Sequence, residues 1–214
     1  MKLKVCGLTN AQNIREILKV SPPDYLGFIF YEHSSRYMPA LLNPEEVQTL
    51  PGEIKKTGVF VNSSVNHIIK MAKVYGLHAL QLHGEESPEE CERLQSLGLT
   101  IIKAFRIGAS FDNVLLKKYL NVCDYFLFDT AGLCKGGNGK KFNWNILGSY
   151  SLNKPYFLSG GIKPEDAALI SGINDHRLYG IDVNSGFETE PGIKVPSGIQ
   201  KFTTQLKKFN HAKI

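Results

Sequence analysis

Short apolar runs rich in β-branched and aromatic residues recur along the whole 214-residue chain. They read as strands at LKVCGL (3–8), YLGFIF (25–30), TGVFV (57–61), ALQLHG (79–84), IIKAFRI (101–107), YFLFDT (125–130), PYFLSGG (155–161) and LYGIDVNSG (178–186). The runs are continuous rather than alternating, as expected of strands covered on both faces in a parallel sheet. Between them the apolar period changes to that of a helix. NAQNIREILKV sets Ile14, Ile17 and Leu18 on one face, and SVNHIIKMAKVYG does the same with Val65, Ile68, Ile69 and Ala72. NPEE at 43, SPEE at 87 and KPED at 163 are helix starts with a physical cause. Proline suits the first helical position, and the acids face the positive end of the helix dipole. Asn43 with Glu46 and Ser87 with Glu90 have the spacing of capping boxes.

Eight strand–helix units with no linker or shift of composition predict an α/β fold, a single (β/α)8 TIM barrel over residues 1–214. An open doubly wound sheet is the alternative. That fold usually carries a G-x-G-x-x-G turn after its first strand, and CGLTN has none.

Composition narrows the function. At 43% hydrophobic residues the chain can bury a large core, yet no apolar run approaches the ~20 residues of a membrane span. The start, Met-Lys-Leu-Lys-Val-Cys, lacks the apolar stretch of a secretory signal, so a cytoplasmic location without a membrane partner is expected. Cys6, Cys91, Cys123 and Cys134 form no C-x-x-C pair, which offers neither a zinc site nor a disulfide framework. The net charge is +5, with no basic run interleaved with aromatics, so no nucleic-acid partner is expected. The lysines from Lys201 to Lys213 alternate with Phe202, Leu206 and Phe209 at helical spacing, the pattern of a solvated helix face. A mild positive charge suits an anionic small substrate.

In a barrel of this type, chemistry sits where strands end. The predicted ends carry Cys6, His83, Arg106, Asp129, Gly160-Gly161 and the stretch Asp182 to Gly186, while the loop after the second strand carries Arg36. Each has a plainer reading. Cys6 is an ordinary buried cysteine, Asp129 a strand-end cap, His83 a partner of a loop carbonyl, Arg36 a surface residue and the glycine pair a turn. Their common position at strand C-termini favours a site. The glycines Gly160 and Gly161, with Asn184, Ser185 and Gly186, offer bare backbone N–H groups to a phosphate after the seventh and eighth strands. The segment behind Asp129, with Gly136, Gly137 and Gly139, has the composition of a lid.

KVCGLT, QLHG, FLFDT followed by GGNGKKFNW, SGGIKPED and GIDVNSGFETEPG, in this order, resemble the phosphoribosylanthranilate isomerase family over residues 2 to about 195. The resemblance implies a (β/α)8 barrel without cofactor or metal, a monomer or homodimer. The implied reaction is the Amadori rearrangement of N-(5-phosphoribosyl)anthranilate in tryptophan biosynthesis. It implies Cys6 as general base, Asp129 as general acid and Arg36 as partner of the anthranilate carboxylate. The phosphate falls to Gly160, Gly161, Asn184, Ser185 and Gly186, and Asp182 to the sugar hydroxyls. Lys4, His83 and Arg106 take mouth positions. Asp129 must be protonated when it acts, which desolvation or the substrate's anions would favour. Cys6 must be thiolate, which Lys4 on the same side of its strand is expected to favour. The chain departs from the family pattern at Asn138, Asn143 and Val195. Two other readings are another phosphosugar barrel, such as the histidine-pathway isomerase with two catalytic aspartates, and a catalytically silent barrel.

Overall fold

The computed structural model describes residues 1–130 and 143–211. In chain order its elements are β1 (Lys2–Val5), α1 (Ala11–Val20), β2 (Tyr25–Ile29), α2 (Pro44–Gln48), β3 (Lys55–Phe60) and α3 (Val65–Tyr75). Then come β4 (Ala79–Leu82), α4 (Pro88–Gln95), β5 (Thr100–Ile107), α5 (Asn113–Lys117), β6 (Tyr125–Thr130) and β7 (Tyr156–Leu158). The chain continues with α6 (Ala167–Ser171), β8 (Leu178–Val183), the hairpin strands β9 (Glu188–Glu190) and β10 (Ile193–Lys194), and α7 (Pro196–His211). Strands β1 to β8 form a closed barrel of parallel neighbours. The ring shuts where β1 meets β8, with Lys2 opposite Gly180 and Val5 opposite Val183.

The predicted helix starts act as their chemistry requires. Asn43 accepts from Glu46 N while Glu46 Oε2 accepts from Asn43 N, and Ser87 with Glu90 repeats the arrangement. At KPED the carboxylate of Asp166 accepts from Lys163 N at 2.7 Å, and a 3-10 turn over Pro164–Asp166 leads into α6.

Several predicted strands overrun the observed ones. β1, β4, β7 and β8 stop at Val5, Leu82, Leu158 and Val183, short of the glycine-bearing turns read as their continuations. Gly160 and Gly161 have φ of +91° and +61°, which no strand accommodates. The sixth unit also differs from expectation. Among the described residues, β6 is followed by a 3-10 segment, Trp144–Ser149, rather than an α-helix. WNILGS is short and carries Gly148, a poor nucleus for an α-helix. Gly136, Gly137, Gly139 and Asn138 lie outside the described residues.

The main core fills the layer between barrel and helices, where Ile14, Ile17, Ile68 and Leu94 meet the outward side chains of the strands. A second cluster plugs the barrel at the N-terminal ends of its strands. Tyr25, Ile102, Ala104, Leu127 and Phe157 are buried there, with Tyr125 and Tyr179 packed against them. Tyr25 and Phe157 meet edge to face at 5.3 Å. Toward the other end the interior turns polar, with Lys4, Gln81 and Asp182 all buried. No helix among the described residues is long and apolar enough to cross a membrane.

Candidate active site

A pocket opens at the C-terminal ends of the strands. Its walls include Cys6 after β1, Arg36 after β2, Gln81 and His83 from β4 and its end, and Asp129 near the end of β6. Gly160 and Gly161 after β7, Asp182 on β8, and Asn184, Ser185 and Gly186 after it complete the ring. These are the sequence-predicted candidates with two exceptions among the described residues, Lys4 and Arg106.

Cys6 is held by its backbone, whose N–H donates to the Val183 carbonyl at 2.9 Å. Its sulfur fits because β2 carries Gly27, where a Cβ would stand 2.7 Å from Sγ. The thiol is buried, and burial pushes its pKa up; the charges of Lys4 and Lys194 pull the other way without prevailing. Lys4 therefore favours the thiolate, as its place on β1 predicts, but desolvation outweighs it. Lys4 itself lies beneath the pocket, fully buried, with its ammonium 2.8 Å from Asp182 Oδ1. Burial opposes its charge, yet Asp182 and Cys6 hold its pKa above the ordinary value.

Asp129 is 8% exposed at the end of a strand buried along most of its length. Its Oδ1 accepts from Thr130 N at 2.9 Å. Its Oδ2 lies 3.2 Å from His83 Nε2, at ion-pair distance though off the line of a hydrogen bond. The other ring nitrogen of His83 meets Gln81 Nε2 at 2.8 Å, so His83 bonds an amide rather than a loop carbonyl. Gly160 has no room for a side chain. A Cβ there would fall 2.7 Å from Thr130 N and 2.9 Å from Asp129 Oδ1.

Arg36 is a wall of the pocket rather than a surface residue. Its Nε donates to Glu188 Oε1 at 2.9 Å and its Nη2 to Oε2 at 2.5 Å, a bidentate pair that holds its pKa above the ordinary value. Glu188 also accepts from Lys194 Nζ, which donates in turn to Asn184 Oδ1 at 2.7 Å. Burial alone would raise the Glu188 carboxyl, but Arg36 and Lys194 hold it below the ordinary range. Lys194 is 1% exposed, and burial pushes its pKa down to about 8.

Arg106 is placed elsewhere. Its Cα pairs in register with Asp129, but its side chain is exposed and borders a neighbouring cavity with Lys103, Phe105 and Asp112. Gln81, Glu188 and Lys194 were not foreseen. Gln81 stands two residues before His83 on one side of a strand, a period-2 signal in QLHG. Glu188 and Lys194 flank the Pro-Gly of FETEPGIK, where a hairpin turn brings two opposite charges together. Val195 lacks the side-chain cap of an aspartate, and α7 starts instead from its carbonyl, which accepts from Gly198 N and Ile199 N. Asn143 caps the 3-10 segment by accepting from Asn145 N. No group of three or more His, Cys, Asp or Glu among the described residues is arranged to hold a metal ion.

A closed parallel barrel with a polar pocket at the strand C-termini defines a (β/α)8-barrel enzyme. Residues 3–205 match the family described as N-(5′-phosphoribosyl)anthranilate (PRA) isomerase. The chain belongs to that family, and its activity is the isomerisation that the family performs in tryptophan biosynthesis. A relative of that name from Phocaeicola vulgatus is 44% identical over 207 residues, covering 97% of this chain and 98% of the relative. The crystal structure of phosphoribosyl anthranilate isomerase from Thermotoga maritima superposes with a TM-score of 0.79 at 31% identity, covering 97% of this chain and 99% of that one. A further isomerase structure, 31% identical with a TM-score of 0.76 and the same coverage, is a complex with reduced 1-(o-carboxyphenylamino)-1-deoxyribulose 5-phosphate.

Proposed function

We propose that the pocket carries out the Amadori rearrangement with Cys6 as general base and Asp129 as general acid. The observation that supports this most is their placement. Among the described residues, the Cys6 thiol and the Asp129 carboxylate line one pocket after β1 and near the end of β6, with the glycine turns that follow β7 and β8 between them around the ring. Asp129 donates a proton to the furanose ring oxygen, and the C1′–O bond breaks to give an iminium ion. Cys6, as thiolate, removes the proton from C2′ to give an enolamine. The enolamine then takes a proton at C1′ from the Cys6 thiol and gives that of its C2′ hydroxyl to the Asp129 carboxylate, which leaves the ketone and both residues as they began. No atom is gained or lost, as an isomerisation requires.

The remaining residues bind. The carboxylate of the anthranilate ring pairs with Arg36, whose Nη1 is not used by Glu188. The phosphate sits on the bare backbone of Gly160-Gly161 and the turn Asn184-Ser185-Gly186. Asp182 approaches the sugar hydroxyls with its orientation fixed by Lys4. A related structure holding a reduced form of the carboxyphenylamino-deoxyribulose phosphate supports a ligand of this shape. Anthranilates fluoresce, so the change in emission on mixing follows turnover. Cys6→Ala is expected to lose on the order of 10²–10⁴-fold in kcat with its fold retained. Near-parental turnover in that variant would place the base elsewhere.

A further inference from the structure

We propose that Glu188 and Lys194, on the two strands of the β9–β10 hairpin, are positioning residues that aim Arg36 at the substrate's carboxylate and give that subsite its positive charge. The inference rests on Arg36 being the carboxylate partner.

The geometry gives each residue a distinct task. Glu188 takes the Nε and Nη2 edge of the guanidinium, so Arg36 is fixed in orientation before any ligand arrives. Only the Nη1 side remains for an incoming carboxylate, with Ser35 Oγ as its distant partner at 3.4 Å. Two charges would cancel, and a neutral pair draws no anion. Lys194 restores the balance, because Arg36, Glu188 and Lys194 together carry a formal charge of +1. Its ammonium also donates to Asn184 Oδ1 at 2.7 Å, on the turn assigned to the phosphate. One hairpin thus ties together the groups that receive the two ends of the substrate. Asn13 holds it in place, since its side chain accepts from Lys194 N and donates to the Lys194 carbonyl, each at 2.8 Å.

The arrangement makes carboxylate binding depend on pH. The charged and titratable groups facing Lys194 are Glu188, Arg36 and Cys6, and burial leaves its pKa at about 8. Above that value the ammonium loses its proton and the cluster becomes neutral. Affinity for an anion there falls as pH rises.

The test compares two probes by titration, the reduced 1-(o-carboxyphenylamino)-1-deoxyribulose 5-phosphate and the same compound without its ring carboxylate. Glu188→Asp keeps the charge but withdraws the carboxylate from the guanidinium, and Glu188→Ser with Lys194→Met removes the positioning pair while leaving the cluster at +1. Both should bind the carboxylated probe roughly tenfold or more weakly, with the other probe within about twofold and KM changed more than kcat. In the unaltered protein, affinity for the carboxylated probe should drop as pH passes 8 while the other probe changes less. That arm needs no variant to fold. Equal losses for both probes, or no loss, would overturn the positioning role, as would a pH profile shared by the two probes. Arg36→Met separates the two readings. If it binds both probes like the parent, Arg36 is not the carboxylate partner; if it loses the carboxylated probe while the Glu188 variants do not, only the present inference fails.

Discussion

His83 Nε2 lies 3.2 Å from Asp129 Oδ2, with the far side of the ring held by Gln81 at 2.8 Å from Nδ1. A strand-end aspartate that merely capped a turn would have no use for this second neighbour, because Thr130 N already supplies a cap at 2.9 Å. Asp129→Asn retains size and much of the hydrogen bonding, so a cap would survive it. A general acid would not, since an amide has no proton to give the ring oxygen. Turnover should fall on the order of 10²–10⁴-fold, with Tm within a few degrees of the parent. A variant that still turns over near the parental rate would remove Asp129 from the chemistry.

As the proposed base, Cys6 acts as thiolate, and burial holds its pKa above the ordinary value. At neutral pH the thiol form is therefore favoured. Raising the pH toward and past the ordinary cysteine value of about 8.5 fills the active form, so kcat/KM, which reports the free enzyme, should climb across that range. Cys6→Ser should abolish the climb along with most of the activity, since a serine hydroxyl stays protonated throughout. A kcat/KM already flat from pH 6 upward in the parent would show that burial does not govern the base.

Gly161 has φ of +61°, a left-handed conformation that a β-branched side chain adopts only with strain of about 1–3 kcal/mol. Gly161→Val should also crowd the place assigned to the phosphate. Steady-state kinetics should show KM raised by an order of magnitude or more, with kcat less affected. Unchanged KM would move the phosphate away from this turn.

The Lys4–Asp182 pair tests what lies under the pocket. Both side chains are buried, at 2.8 Å from each other, so Lys4→Met leaves a carboxylate without its counter-charge. Removing one partner of such a pair typically costs about 3–5 kcal/mol, read as a shift of the urea midpoint. Adding Asp182→Leu should recover most of that stability without recovering activity. A single variant that melts like the parent would mean that Asp182 is neutral in the folded protein.

Strand-end positions were legible because a barrel converts sequence position into location: the residue that ends an apolar run faces the mouth. Cys6, His83, Asp129 and the glycine turns follow that rule. Arg106 obeys it with its Cα, paired with Asp129, but its long side chain leaves toward another cavity, and no run of letters records a rotamer. The charge partners of Arg36 were hidden for another reason. Glu188 lies 152 positions away in sequence and approaches only through a hairpin whose strands are too short to read. For Cys6 the sequence shows the charge of its neighbour but not its burial. Lys4 does act in the expected direction, but a desolvation penalty depends on everything packed around the sulfur.

The meeting of the first strand with the last has a consequence for the order of events during synthesis. Cys6 hangs by its amide from Val183, and the glycine turns after β7 and β8 are made late. A nascent chain that has reached residue 150 already contains both Cys6 and Asp129 yet lacks the wall that holds the thiol in place. Every earlier strand can find a neighbour as it emerges, but β1 must wait with one side open until the chain has passed residue 183. Catalysis is thus among the last properties the polypeptide acquires, and turnover reports the shutting of the ring.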